Sequence, residues 1–447
     1  MKNIIVIGGN AAGPAAAAKA KRTDKNANVI LFEATDFIST GTCEMPFVLG
    51  GKIEDFRKIV FFDEETFFNK KGVKVYTKHL AEVINRRERI VTVRNLRTDQ
   101  TIDFKYDKLI LTTGARVKKL PFLSMGYDNL FYHKNIPDLI SVKKYLSEQT
   151  VNKVLVIGAG YIGLEVADAF HKIGKEVTIV ELESLPLPGA EPEIRQLALE
   201  EIKKQGVEFL GAVKYEMITD GNKIKGIKAE GRILNFDLVI SSIGFAPNSV
   251  LAETSGLELG RFGGIKVDKK QKTSDPNIFA AGDNTEIINA ITGKSEYFPL
   301  ATIAYNQSHI AGINAAGGNS FSLPVIKNVA VKIFDKAYAS VGISEFQAKE
   351  HFFGSKSVSA VGYSLIHVMP ESEKVFGKLV YDSESKLILG ASFWGASHSA
   401  YYADVISSLI RAKAPYTILD EINFNYTPPI SPFINILTIL GKKANGK

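Results

Sequence analysis

The chain has 447 residues, 45% of them apolar and 23% charged, a composition typical of a globular protein of about three domains. The net charge of +7 is spread along the chain without a run of about five basic residues. This excludes a nucleic-acid-binding arm and leaves either an ordinary solvated surface or a local basic patch for an anionic ligand. The single cysteine, Cys43, excludes an internal disulfide and favours a reducing, cytoplasmic compartment, and no apolar run approaches the roughly 18 residues of a membrane span.

The N-terminal segment IIVIGGNAAG predicts a strand, a phosphate-binding turn and an alanine-rich helix near 12–22. The turn has Gly8 and Gly13 at the expected spacing, with Asn10 where a middle glycine is usual. Asn tolerates unusual backbone angles, so we expect the turn to survive. A second apolar strand follows and ends at Glu33. In such units backbone N–H groups face a pyrophosphate and the terminal acid binds ribose hydroxyls.

A second unit of this kind occupies the middle of the chain. The segment VLVIGAGYIG carries the complete pattern of Gly158, Gly160 and Gly163, before a helix predicted over 161–173 and a strand ending at Glu181. One match would be weak, but two matches in register predict two dinucleotide-binding units. A carboxylate at position 181 repels the 2′-phosphate of NADP, so we expect NADH rather than NADPH.

The C-terminal third differs in composition from about Pro324 onward. The segments VAVKIFD, ASVGIS, KLVYD and LILGASFWG alternate as in an antiparallel sheet, with helices such as 399–412 packed on it. The predicted fold class is therefore α/β, with two Rossmann-like dinucleotide-binding domains and a C-terminal α+β domain.

Five motifs occur in order along the chain: GGNAAG (8–13), LTTGAR (111–116), VIGAGYIGLE (156–165), SSIGFAPN (241–248) and FAAGDN (279–284). Together they resemble the FAD-dependent pyridine nucleotide-disulfide oxidoreductases over nearly the whole chain. The resemblance implies a homodimer whose chain has an FAD-binding domain of 1–115 and 245–324, an inserted NAD(P)-binding domain of 116–244, and a dimerisation domain of 325–447.

The resemblance also implies which residues contact the two cofactors. For FAD they are Gly8, Asn10, Ala11, Ala12, Gly13, Glu33, Thr113, Gly114, Ala115, Arg116, Gly282, Asp283, Pro299, Leu300 and Ala301. For NADH they are Gly158, Gly160, Tyr161, Ile162, Gly163, Glu165, Glu181 and Gly244. Tyr161 is expected to cover the flavin face that receives the nicotinamide, and Glu165 to touch the nicotinamide end.

Cys43 lies in the segment STGTCEMPF, which resembles the single-cysteine subgroup of coenzyme A-disulfide reductases, NADH oxidases and NADH peroxidases. In that subgroup the cysteine lies beside the flavin, and it is the candidate redox residue here. We expect loop N–H groups and a helix N-terminus to lower the pKa of the thiol. Glu44 replaces a usual glycine, and its charge is expected to raise that pKa and to oppose anionic substrates.

Three features favour the coenzyme A-disulfide reductases within the subgroup. Ala11 stands where the oxidases and peroxidases carry a histidine. Pro46 and Phe47 after Cys43 resemble the reductases' CGLPY pattern, and the segment NYTPP resembles their Tyr-x-Pro-Pro. The resemblance implies that Tyr426 reaches the other subunit and hydrogen-bonds the leaving thiolate; the alternative is a tyrosine packed at the interface. Residues that resemble coenzyme A contacts are Lys19, Arg22, Ser39, Thr42, Lys71 and Tyr305. Their cations suit a ligand with three phosphates.

Some departures from the pattern leave the substrate open. Tyr305 stands where the reductases more often show histidine, and no tyrosine occurs in His367–Pro370 where they carry one. The sequence predicts NADH-dependent reduction of coenzyme A disulfide, or of another low-molecular-weight disulfide or persulfide, through Cys43. The alternatives are an NADH oxidase or peroxidase that cycles Cys43 through sulfenic acid, and an electron-transfer module without thiol chemistry. We expect no metal, nucleic acid or membrane partner.

Overall fold

The structure, a computed structural model, describes residues 1–123 and 126–447. Its first parallel sheet has five strands, in the order Ile278–Ala280, Lys108–Leu111, Asn3–Ile7, Asn28–Phe32 and Lys74–Tyr76. One face, through Ile4 and Val6, packs on helices Ala12–Thr23 and Ala301–Ala315. The other, through Ile5 and Ile7, packs against the antiparallel strands His79–Asn85, Ile90–Asn95 and Thr101–Lys105. Because both faces are covered, the central strand is a continuous apolar run.

The second parallel sheet repeats this arrangement. Its order is Leu130–Phe131, Leu238–Ser241, Lys153–Ile157, Glu176–Glu181 and Glu208–Gly211. Helices Ile136–Glu148, Tyr161–Lys172 and Pro192–Lys204 cover one face. The antiparallel strands Tyr215–Asp220, Lys223–Ala229 and Arg232–Asn235 cover the other.

The chain crosses between the two sheets twice, and the crossings pair with each other. Ala115–Val117 runs antiparallel to Phe245–Pro247, and helix Val250–Thr254 follows the second crossing. In the sequence, all strands of the second sheet lie between Lys108–Leu111 and Ile278–Ala280 of the first.

The C-terminal part is an antiparallel sheet in the order Asn328–Ile333, Lys336–Gly342, Ile388–Gly395, Lys374–Asp382 and Ser355–Tyr363. Helices Ala400–Arg411 and Ile436–Ala444 pack on one face, and helix Glu345–His351 lies beside it. Ile333, Tyr338 and Trp394 join the core of the second unit, so this sheet is anchored there.

The remaining elements are short. The paired strands are Ile38–Thr40 with Val60–Phe62 and Ile287–Ile288 with Ser295–Glu296, and the further helices are Met45–Leu49 and Glu64–Lys71. Single 3-10 turns are Thr42–Glu44, Phe56–Ile59, Pro121–Leu123, Ser397–Ser399 and Tyr416–Asp420.

The predicted fold class is confirmed, and the strand–turn–helix–strand order of both repeats is observed as predicted. Strands His79–Asn85 and Ser355–Tyr363 were not predicted, because their exposed polar positions hide the apolar alternation. Across residues 1–123 and 126–447, every helix is too short or too polar to cross a membrane.

Candidate active site

A cavity of about 1540 Å³ lies between the two parallel sheets and the C-terminal sheet. Small-molecule pockets are usually about 300–1,000 Å³, so this cavity has room for more than one large ligand. Both glycine turns open into it, together with Cys43.

The two turns are built alike and exclude side chains at the same points. A Cβ on Gly13 would lie 1.7 Å from the Gly8 carbonyl oxygen, and one on Gly163 would lie 1.9 Å from that of Gly158. Gly8 and Gly158 have φ values of 105° and 99°, a region that favours glycine. Each turn therefore brings its strand close to the N-terminus of the following helix at the edge of the cavity, the arrangement that holds a pyrophosphate.

The acidic residues that end the second strand of each repeat make the same kind of hydrogen bonds. Glu33 accepts hydrogen bonds from the N–H groups of Gly9 at 2.6 Å and Thr35 at 2.7 Å. Glu181 accepts them from Ala159 and Leu182, both at 2.7 Å. Each carboxylate thus fixes its glycine turn and still borders the cavity, where a ribose hydroxyl could reach a free lone pair.

Asn10 fits the first turn in a different way from the one expected. The φ angle of Asn10 is not positive, so the turn does not need the tolerance of asparagine for unusual backbone angles. Instead its Oδ1 accepts a hydrogen bond of 2.6 Å from Thr40, and the N–H of Ser39 donates to the Gly9 carbonyl at 2.8 Å. These bonds tie the segment leading to Cys43 to the phosphate-binding turn.

Cys43 lies in the 3-10 turn Thr42–Glu44, immediately before helix Met45–Leu49, and its exposed surface faces the cavity. Gly50, at the end of this helix, lies so close to helix Tyr161–Lys172 that a Cβ would be 3.2 Å from the Cα of Ala169. The cysteine is therefore held against the second repeat by packing of two helices.

The expected lowering of the thiol pKa is wrong for this chain. Burial in the cavity wall raises the pKa of Cys43, and the charges of Glu44, Glu165 and Asp283 raise it further, against a lowering by Lys134. The helix after the cysteine has only five residues and starts beyond it, so its N-terminus does not outweigh three carboxylates. The prediction that the charge of Glu44 raises the pKa of the Cys43 thiol is confirmed.

Glu165 and Tyr161 lie on the first two turns of helix Tyr161–Lys172 and border the cavity. Burial, with a smaller effect of the Asp168 charge, raises the pKa of Glu165 to about 7. The Tyr161 hydroxyl hydrogen-bonds to the buried Tyr338 of the C-terminal sheet, with ring centroids 6.1 Å apart. A carboxyl group close to half-protonated at neutral pH therefore lies near the thiol.

Lys134 and His133 are two cavity residues that the sequence did not reveal. The Lys134 ammonium lies 3.6 Å from Asp283 and 4.6 Å from the centre of the Phe245 ring. His133 is buried, which lowers its pKa to about 4, and neither ring nitrogen has a hydrogen-bond partner in the described parts of the chain. The only local signal is that both residues precede the helix cap at Asn135.

Most of the predicted cofactor residues border this cavity: Gly8, Asn10, Ala11, Ala12, Glu33, Thr113, Gly114, Ala115, Asp283, Pro299, Leu300, Ala301, Gly158, Gly160, Tyr161, Ile162, Glu165, Glu181 and Gly244. Gly13 and Gly163 lie behind their turns, Gly282 donates its N–H to Gln307, and the exposed Arg116 also lies outside the lining.

The predicted substrate residues do not lie together. Thr42 borders the cavity with Cys43. Lys19 and Arg22 lie outside it, near Tyr305, whose ring is 4.3 Å from that of His309. Burial and then the charges of Lys19 and Arg22 lower the pKa of His309, so both cations lie within electrostatic reach of that ring.

Three further predicted residues are elsewhere in the chain. Ser39 is half-buried beside the first turn, and Lys71 ends helix Glu64–Lys71 with its ammonium over the Phe62 ring. Tyr426 is 43% exposed, packs edge-on against Phe433, and does not border the cavity of its own chain.

The residues present fit two dinucleotides. The helix N-termini that follow the glycine turns offer N–H groups to phosphates, and Glu33 and Glu181 offer carboxylates to riboses. Asp283, whose pKa burial raises, offers a carboxyl group for hydroxyls in the same cavity. Fold and site together define an oxidoreductase in which a thiol shares one cavity with two dinucleotide-binding turns.

Comparison with known proteins identifies the family. Residues 2–308 match the family described as pyridine nucleotide-disulphide oxidoreductase, and residues 329–435 match its dimerisation domain. The chain belongs to this family and is an FAD-dependent oxidoreductase that carries the dimerisation domain.

Relatives named for different activities are similar to nearly the whole of this chain. The coenzyme A disulfide reductase of Staphylococcus aureus (strain JH9) is 30% identical over 445 residues, which are 99% of this chain and 100% of that protein. The NAD-dependent persulfide reductase from A. fulgidus has a TM-score of 0.94 at 30% identity, covering 99% of this chain and 84% of that one. The water-forming NADH oxidase from Lactobacillus brevis has a TM-score of 0.92 at 26% identity, covering 100% and 98%.

Proposed function

We propose that this chain is an NADH-dependent flavoprotein reductase of coenzyme A disulfide or of a related low-molecular-weight disulfide or persulfide, with Cys43 as its redox-active thiol. The observation that carries the proposal is the position of Cys43, which faces the cavity shared by both glycine turns. Two relatives that are similar over 99% of this chain, a coenzyme A disulfide reductase and a persulfide reductase, support the same chemistry.

The proposal includes the division of the chain and its assembly. Residues 1–115 with 245–324 hold FAD, residues 116–244 hold NADH, and residues 325–447 join two copies. Exposed apolar side chains on the C-terminal part support the pairing, among them Phe353, Tyr401, Ile430 and Phe433. The single cysteine supports a reducing, cytoplasmic location.

In the proposed mechanism the Cys43 thiolate attacks a substrate S–S bond, forms a mixed disulfide and releases the first thiol. Bound FAD supplies the two-electron transfer from NADH to that disulfide. Lys134 stabilises the Cys43 thiolate that is regenerated, since it is the nearby cation that lowers the thiol pKa. Tyr161, held by Tyr338, covers the nicotinamide side, and Tyr426 of the second subunit donates a hydrogen bond to the departing thiolate.

The coenzyme A part of the substrate is assigned to the cations outside the cavity. Lys19 and Arg22, beside Tyr305, give charge and an exposed ring for a phosphorylated nucleotide. Lys71 and Ser39 lie on neighbouring segments of the same unit. Glu44 opposes an anionic substrate near the thiol, so the proposal includes uncharged persulfides and disulfides.

An NADH oxidase that cycles Cys43 through sulfenic acid is the second candidate. The full-length similarity to the water-forming NADH oxidase favours it. His133 places a histidine in the cavity, although position 11, where the oxidases carry a histidine, is alanine here. The two candidates differ in what reoxidises the protein.

The test is an anaerobic titration of the FAD-loaded protein with NADH, followed by coenzyme A disulfide, coenzyme A persulfide, polysulfide, hydrogen peroxide or oxygen. Reoxidation of the flavin absorbance by a sulfur compound, and its loss in Cys43→Ser while NADH still bleaches the flavin, is the expected result. Fast reoxidation by oxygen or peroxide alone would favour the oxidase. Full turnover by Cys43→Ser would reject both and leave an electron-transfer module.

A further inference from the structure

Lys327 is an ionisable residue of the cavity wall that the proposed mechanism leaves unused. It stands immediately before strand Asn328–Ile333 and borders the cavity together with three of the residues expected to contact FAD, which are Pro299, Leu300 and Ala301. Its carbonyl oxygen accepts a hydrogen bond of 2.8 Å from the N–H of Gly342 on the next strand. The backbone that carries the lysine is therefore held by the C-terminal sheet.

The ammonium of Lys327 has no ionic or hydrogen-bonded partner in the described parts of the chain. Burial lowers its pKa, and the charge of Glu296 opposes this shift without forming an ion pair. Glu296 itself accepts a hydrogen bond of 2.9 Å from the side chain of Asn289. The ammonium lies over the Phe298 ring, with Nζ 5.0 Å from the ring centre. Because buried charges are normally paired, a negatively charged group of a ligand is the expected partner of this cation.

Helix Ala301–Ala315 begins at the same part of the cavity. Its cap residue, Leu300, makes no side-chain hydrogen bond to the helix, and its first turn contains no acidic side chain. The first N–H groups of a helix have no partner within it and give this end a partial positive charge. Phe298, over whose ring the Lys327 ammonium lies, comes just before the helix in the chain. A full charge and a partial charge of the same sign therefore meet at this part of the wall.

The reduction of FAD by NADH creates a negative charge on the flavin. In NADH + FAD → NAD⁺ + FADH⁻, the transferred hydride carries two electrons and one hydrogen, and no proton is taken from solvent. The oxidised ring is neutral, whereas the reduced ring carries one negative charge that is shared between N1 and the oxygen on C2. A protein cation beside this edge of the ring therefore stabilises the reduced flavin more than the oxidised flavin.

We propose that Lys327 stabilises the negative charge of the reduced flavin and thereby sets how readily NADH reduces the cofactor. The pyrophosphates are assigned to the glycine turns and the Cys43 thiolate to Lys134, so the reduced ring is the negative group that remains for Lys327. The inference rests on the part of the proposed function that places FAD in the first unit, with its ring beside residues 299–301. It applies whether a disulfide, a persulfide or oxygen reoxidises the flavin.

The experiment measures the reduction potential of bound FAD in the full chain with Cys43→Ser, so that the flavin is the group being titrated. The potential is determined under argon against a reference dye, with and without the additional substitution Lys327→Met. Methionine keeps most of the length and the apolar contacts of the side chain and removes its charge. An interaction with a charged group favours the reduced form by about tenfold or more, so we expect the potential to fall by about 30 mV or more.

Lys332→Met is the matched control, because Lys332 lies on strand Asn328–Ile333, shortly after Lys327 in the chain, and does not border the cavity that contains Cys43. It is expected to leave the potential unchanged. The second measurement is the affinity of the oxidised protein for 1,4,5,6-tetrahydro-NAD, an NADH analogue that cannot give up a hydride. This affinity is expected to be the same with and without Lys327→Met, because the oxidised ring has no negative charge for the lysine to stabilise.

An unchanged potential in Lys327→Met, or an equal fall in Lys332→Met, overturns the role of Lys327. Weaker binding of the analogue at an unchanged potential also overturns it and makes Lys327 a nicotinamide contact. If Lys327→Met does not hold FAD, Lys327→Gln is measured in the same way, and if neither variant holds FAD the lysine already acts on the oxidised cofactor and the proposal fails. A wild type without FAD rejects the cofactor assignment instead, whereas failure of every sulfur compound to reoxidise the flavin rejects only the proposed disulfide reductase.

Discussion

The ammonium of Lys378 connects the C-terminal sheet to the second dinucleotide unit. Its Nζ lies 3.0 Å from Glu191, 3.0 Å from Glu193 and 2.7 Å from Glu345, and its side chain is 5% exposed. Burial by itself lowers the pKa of Lys378, but the hydrogen bonds and charges of the carboxylates outweigh it and raise that pKa. We therefore predict that this cation is an anchor between the two parts of the chain.

The substitution Lys378→Met removes the cation and leaves Glu191, which is 3% exposed, as a buried charge without it. Breaking a buried pair in this way costs about 3–5 kcal/mol of unfolding free energy. At about 2–4 °C per kcal/mol for units of roughly 150–250 residues, the unfolding midpoint falls by about 6–20 °C. Differential scanning calorimetry of the FAD-loaded protein at neutral pH measures the shift.

Lys349→Met is the matched control because Lys349 pairs with the same Glu345, at 2.6 Å, from a position where its side chain is 65% exposed. An exposed pair of this kind contributes about 0.2–1 kcal/mol, so its midpoint shifts by less than about 4 °C. Equal shifts in the two variants would refute the argument that burial gives Lys378 its effect.

Three further predictions concern the catalytic cavity. Gly163→Ala places a Cβ 1.9 Å from the Gly158 carbonyl oxygen, so the turn must open. A fluorescence titration should show that NADH binding is lost while the FAD content is retained, and an unchanged NADH affinity would contradict this. Glu44→Gln removes a charge that raises the pKa of Cys43, so the pH profile of thiol alkylation by iodoacetamide should move to lower pH, and a shift upward would refute the assignment. Lys134→Met removes the cation that lowers this pKa, so the same profile should move to higher pH, whereas an unchanged profile would show that Lys134 does not act on the thiol.

The two dinucleotide units could be predicted because their signals are local. In each repeat the glycines, the helix and the acid lie within about 30 residues, and their spacing follows from one strand–turn–helix–strand unit. Glu33 and Glu181 were identified in this way, and each binds the N–H of the residue after the first glycine of its own turn. The position of Cys43 at the cavity could be predicted only from the family resemblance.

The sign of the thiol pKa shift could not be predicted in the same way. The sequence shows Glu44 beside Cys43, but Glu165, Asp283 and Lys134 come from three distant segments. Their effects depend on distance and on the loss of water, and both are set by how the segments pack. A helix N-terminus considered alone lowers the pKa of a thiol, which is the wrong direction for Cys43.

The sequence by itself determined the two dinucleotide turns, their acids and the fold class, because the backbone geometry of a short unit is encoded in neighbouring residues. Only the tertiary structure decided which charges face Cys43, that Lys327 borders the same cavity, and that Lys378 joins the C-terminal sheet to the second unit. These features arise where elements far apart in the chain exclude water together, and electrostatic interactions become strong there because solvent no longer screens them.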